Sequence, residues 1–273
     1  MPRPRPGEVG AFSFENRRPR SRSLAAVTRS EPPLPARLGR YLLLERLPPQ
    51  GMVQPWLARR DGQLEPCVLE HLLPELEGHP AAQGRFARRA AVAAHLQHPN
   101  VVETRATGEE GGLFCVVTEL VLGVSLERLL DALRAHDRRL PRPVFGAIAV
   151  RLLRALAHAH AAEDGHHRRL GIVHRHVVPR SVTLGFAGEV KLGDFSLVQA
   201  EVGEFETAAG MGVGTVAYMS PEQVRSAEID HRSDLYAVSA LFFEMLTGTR
   251  LVPEGTLMSM LRAVAEAPMP KGP

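Results

Sequence analysis

The stretch GIVHRHVVPRSVTLGFAGEVKLGDF, residues 171–195, decides how this chain is read. It opens on a strand-like Gly171-Ile172-Val173 and continues with an arginine between two histidines, His174-Arg175-His176. Val182-Thr183-Leu184 and Val190-Lys191-Leu192 are β-prone triplets on either side of Gly188, which reads as a small hairpin. Asp194-Phe195 follows the hairpin, eighteen residues beyond His176.

Further along, Gly214-Thr215 and Tyr218-Met219-Ser220-Pro221-Glu222 close a loop, and His231-Arg232-Ser233-Asp234 opens a helix. That helix is apolar nearly all round to Thr247 and stops at Gly248, the pattern of a buried helix with a glycine cap. Leu257 to Ala267 reads as one more helix. Upstream, Phe145, Ile148, Leu152 and Leu156 mark a long helix, and Leu113 to Thr118 a strand. Phe86, Ala90, Ala93 and Leu96 predict an amphipathic helix over 85–97. Tyr41–Leu44, Trp56–Ala58 and Pro66–Leu69 are three further strands, the first two separated by a Pro48-Pro49-Gln50-Gly51 break. Strands with one helix, then mostly helices, predict an α+β chain of two unequal lobes, about 39–119 and 120–273.

The chain has 273 residues, of which 44% are hydrophobic, enough for one sizeable core or two lobes. Aromatic residues at 5% argue against a base-stacking module, and Cys67 and Cys115 are too few for a disulfide framework or a cysteine zinc site. No apolar run reaches the ~20 residues that span a bilayer, so a soluble cytoplasmic protein is expected. Only Lys191 and Lys271 are lysine. Residues 1–38 hold eight arginines, three glutamates and seven prolines, so the basic charge belongs to this arm, which is expected to be disordered. The arm could also dock on an acidic protein, a nucleic acid or a membrane surface.

In their order and wording, GIVHR, KLGDF, AYMSPEQ and RSDLYAVSALFFEMLTG resemble the eukaryotic-like Ser/Thr protein kinase family in its bacterial form. HPNVV at 98–102 and GVSLERLL at 123–130 extend the likeness, which covers residues 39 to about 268. The resemblance implies a two-lobed kinase-like fold with a small β-rich N-lobe, one helix in it, and a mainly helical C-lobe that is shortened at its end. It also implies transfer of the ATP γ-phosphoryl group to a protein hydroxyl with magnesium.

The positions that carry this chemistry depart from the family. The three loop glycines are Pro48, Gln50 and Val53, leaving an off-pattern Gly51 and no phosphate cradle. The strand lysine is Glu70 and its helix glutamate partner is Arg89, so the two charges are exchanged. A direct Glu70–Arg89 contact is expected, with Arg88 a competitor. Val68 stands where the family has alanine against the base, Pro55 where it has valine, and Thr118 and Ser181 are further cofactor positions. His176 takes the place of the catalytic aspartate, with Arg175 before it; Val178 replaces a lysine, and Ser181 the metal-binding asparagine. Asp194 alone remains as a metal ligand, and one carboxylate makes a weak magnesium site. His174, Phe195, Glu222 and Asp234 match architectural positions.

This pattern predicts a pseudokinase that binds an unknown protein partner and holds neither ATP nor magnesium tightly. The competing readings are a divergent, low-activity Ser/Thr kinase using His176 and Asp194, and binding of nucleic acid or an acidic surface through the arm. Whether any enzyme activity persists is left open. The histidines from His158 to His176 suggest a metal site only weakly, since His158 and His160 face different sides of a helix. Thr207 and Thr215 lie in the segment 194–222, and Thr207 is a candidate for phosphorylation by another kinase, with Arg175 the natural partner for the added charge.

Overall fold

The computed structural model describes residues 34–195 and 213–266. The arm expectation for residues 1–33 and the Thr207 site lie outside them. Ala36–Leu38, assigned to the arm by sequence, instead form β1, which pairs antiparallel with β2 (Tyr41–Arg46). A ladder partner held at a distance, not local pattern, makes these residues a strand. With β3 (Val53–Arg60), β4 (Pro66–Leu72), β5 (Thr104–Glu110) and β6 (Leu113–Glu119), they build a six-stranded sheet in the order β1-β2-β3-β4-β6-β5. The turns at its two ends meet where Arg40 clasps the buried Glu110 carboxylate, with Nη2–Oε1 at 2.6 Å.

The small lobe's helix α1 runs Pro80–Ala93, not 85–97. Proline at the first turn starts it early. At its end, Ala94, His95 and Leu96 tighten onto Ala90, Val92 and Ala93, and Leu96 passes into the large-lobe core. Ala82, Phe86 and Ala90 pack against Val53, Leu72 and Val116.

The large lobe carries β7 (Gly123–Ser125), α2 (Leu126–Ala135), α3 (Arg142–His160), β8 (Val182–Gly185), β9 (Val190–Leu192), α4 (Pro221–Val224), α5 (His231–Thr247) and α6 (Leu257–Glu266). Gly248 caps α5 at φ 73°, where a side chain would be strained. No helix among the described residues is long and apolar enough to cross a membrane.

Two polar assemblies hold this lobe to itself and to its neighbour. Glu244 on α5 is fully buried, and its carboxylate takes Arg134 Nη2 at 2.9 Å, the Tyr218 hydroxyl, and Arg250 Nε at 3.7 Å. Burial beside this carboxylate pushes the Tyr218 phenol well above its usual range. Between the lobes, Leu192 N–H donates to Asn100 O at 2.8 Å and Val102 N–H to Leu192 O at 2.9 Å. Lys191 Nζ meets Glu119 Oε1 at 2.5 Å, and His98 stacks on His158 with centroids 5.0 Å apart.

Truncating Glu244 to alanine leaves the buried Tyr218 hydroxyl without its acceptor and removes one carboxylate from Arg134 and from Arg250, which keep Asp131 and Glu254, and should cost about 3 kcal/mol in urea unfolding. A loss below about 1 kcal/mol would show the cluster to be dispensable. His98 gives a pH signature. Burial, then His158, Arg154 and Lys191, hold its imidazole below the usual 6.5. The folded state therefore binds this proton less readily than the unfolded chain, so the stabilisation is complete above pH 6.5 and is lost as pH falls below it. The urea midpoint should drop between about pH 7 and about pH 5, and His98→Gln should flatten part of that slope.

Candidate functional site

Between the lobes lies a cleft of about 190 Å³ whose lining includes Val68, Glu70, Val116, Thr118, Arg180, Ser181 and Asp194. Its roof is the β2–β3 turn. Gln50 N–H donates to Val53 O at 3.0 Å and Val53 N–H to Gln50 O at 3.1 Å, while Leu47 N–H reaches Pro55 O at 3.1 Å. Gln54 Nε2 adds bonds to Leu47 O and Pro55 O. Pro48 and Pro49 contribute no amide. The turn commits the Gln50 and Val53 amides to its own backbone, where a phosphate cradle needs amides directed outward.

The strand wall follows from β4. Alternation along the strand turns Val68 and Glu70 to the cleft, Val68 opposite Thr118 and Glu70 between Pro55 and Val116. Glu70 is only 8% exposed. Arg89 lies in α1, and its side chain falls outside the described residues, so the pairing expected with Glu70 is carried forward as a test.

The floor is set by one carboxylate. Asp234, with no exposed surface, accepts His174 N–H at 2.8 Å, Arg175 N–H at 2.7 Å and His160 Nε2 at 2.7 Å. Arg175 sits at φ 64°, and its carbonyl accepts from Gln223 Nε2 at 2.8 Å. His174 takes His176 N–H on Nδ1 and donates from Nε2 to Gly193 O at 2.8 Å, so the ring is neutral with its proton on Nε2. The ring meets Phe195 in an edge arrangement with centroids 4.6 Å apart. Ser181 and Asp194 line the cleft, whereas His176 is buried and is not among its lining residues.

His176 is buried, and Arg180 Nη2 points at its Nε2 from 3.4 Å. A guanidinium can only donate, so that lone pair is engaged and is a poor place to receive a substrate proton. Ser181 Oγ donates to Val178 O at 2.8 Å and accepts Val178 N–H at 3.1 Å. The hydroxyl thus closes its own turn. Asp194, half-buried at φ 59°, supplies one carboxylate. Among the described residues no three His, Cys, Asp or Glu side chains converge. One carboxylate and a committed hydroxyl do not fit a magnesium ion bridging phosphates, which asks for several oxygens in octahedral array. His158 and His160 have separate duties, the first stacking on His98 and the second binding Asp234.

Glu222 lies half-buried beneath this loop. Burial would raise its carboxyl, but the Ser233 hydroxyl at 2.5 Å and neighbouring donors outweigh it and hold the group below its usual range. Sequence reasoning missed Arg180 as a cleft residue and Lys191 as the partner of Glu119. The spacing of Arg180, four residues after His176 in a loop, carries no periodic signal, whereas the scarcity of lysine could have marked Lys191.

The protein kinase domain model matches residues 76–268. Among curated proteins, the chain is 30% identical over 237 residues to a tyrosine-protein kinase, MasK, of Myxococcus xanthus, covering 86% of this chain and 37% of that one. It is 35% identical over 208 residues to the serine/threonine-protein kinase PknL of Mycobacterium tuberculosis, covering 76% of this chain and 49% of the relative. The chain therefore spans between about a third and a half of these relatives' length. The crystal structure of the M. tuberculosis PknI kinase domain superposes with a TM-score of 0.62 at 24% identity, over 80% of this chain and 77% of that one, a likeness of fold.

The exchanged charges at 70 and 89 generate a double-mutant test. Glu70→Lys alone should destabilise the fold, and adding Arg89→Glu should recover most of the loss, with a coupling of at least about 1 kcal/mol. Additive effects would mean that the two side chains do not pair.

Proposed function

This chain belongs to the protein kinase domain family, and within that family we propose that it is a pseudokinase, a kinase-fold domain that acts by binding a protein partner. Glu70 carries this reading. A buried carboxylate stands on the wall where the resemblance calls for a phosphate-binding lysine. At about 4 Å, a phosphate charge would meet repulsion of several kcal/mol at an effective dielectric near 20. The turn commits the Gln50 and Val53 amides to each other, which takes them from any phosphate.

The chemistry at the floor supports the same reading. Loss of a positioned base costs on the order of 10²–10⁴ in rate, and the His176 lone pair facing Arg180 is already engaged. Meanwhile the contacts that shape the lobe, around Asp234 and Glu244, are complete. A surface for a partner needs that shape and none of the phosphoryl-transfer groups.

Incubation with γ-labelled ATP and magnesium should give no transfer to the protein itself or to generic protein substrates. Transfer that disappears in Asp194→Ala would overturn the proposal in favour of a divergent active kinase.

A further inference from the structure

We infer that Arg180 forms an anion subsite in the interlobe cleft, taking the single phosphate or carboxylate group of a molecule with an apolar body, without a divalent metal. Arg180 sits in the short 3-10 turn Pro179–Ser181, half-buried, and lines the cleft. Among the described residues its side chain makes one hydrogen bond, from Nη2 to His176 Nε2 at 3.4 Å. No carboxylate among the described residues lies within ion-pair range of it. Two other partly buried cations of this lobe are matched by carboxylates, Lys191 by Glu119 at 2.5 Å and Arg134 by Glu244 at 2.9 Å.

A guanidinium drawn partly out of water without a counter-charge is costly, and most of its five donors are uncommitted. An anion arriving from solvent recovers that cost through a bidentate contact that suits phosphate or carboxylate geometry. The remainder of the cleft defines the ligand's other half. Val68, Leu96, Val101 and Val116 form an apolar wall that accepts a flat or aliphatic body. Glu70 and Asp194 also line the cleft. They disfavour a second and third phosphate, so the site selects a compact monoester over a polyphosphate. That preference rests on the pseudokinase reading, whereas the subsite itself does not.

Adenosine and adenosine 5′-monophosphate, which differ only in the phosphate, serve as probes in calorimetric titrations with EDTA present. The monophosphate should bind about tenfold more tightly than the nucleoside, as expected for a charge-assisted contact. Arg180→Gln should erase that ratio while leaving adenosine binding and circular dichroism unchanged. Arg180→Lys, which keeps the charge but not the fork, should retain part of the ratio and guards against a folding defect in the first variant. Equal or weaker binding of the monophosphate, a ratio that survives Arg180→Gln, or no binding of either probe below about 1 mM would each overturn the subsite. Label transfer from ATP would overturn the pseudokinase reading and leave this ratio untouched, so the two claims fail separately.

Discussion

The carboxylate of Asp234 is the point on which the large lobe turns. It has no exposed surface, and it gathers two successive backbone amides, from His174 and Arg175, and the ring of His160. A buried charge is tolerable only when its lone pairs are met, and here three donors meet them. The price of burying it is offset by order. Arg175 is held at φ 64°, the His174 ring is turned onto Phe195 and Gly193, and the loop reaches the hairpin of β8 and β9 in one arrangement. Glu244, ten residues along the same helix, does the equivalent for Tyr218 and α2.

Above this floor the cleft has an acidic wall. The acidic wall residue Glu70 faces a cavity whose loop side holds the cation Arg180. Val68, Val101 and Val116 give the same cleft an apolar wall. The seam from Asn100 to Leu192, with Lys191 on Glu119, fixes the relation of the lobes through groups that take no part in phosphate binding.

Much of this was legible because it is local. The hairpin around Gly188, the glycine stop at Gly248 and the apolar run of α5 follow from neighbours in sequence, and the ordered motifs carry the family likeness. What escaped depends on distant partners. β1 exists through its ladder to β2, and the polar strand β5, Thr-Arg-Ala-Thr-Gly-Glu-Glu, exists through β6. Leu96 completes a helical stripe in sequence yet is buried in the other lobe, because the chain tightens after Ala93. The roles of Arg180 and Lys191 needed the fold to be seen, though a lone glutamate inside the apolar run of α5 already hinted at a buried partner for Glu244.

The central claim is that the fold survives while the cleft rejects magnesium–triphosphate. Isothermal titration of the protein with ATP and excess magnesium tests it most directly. The account predicts no saturable binding up to about 1 mM, from a sample whose cooperative unfolding shows it to be folded. A one-to-one isotherm with a Kd of a few micromolar, lost when magnesium is removed, would contradict it.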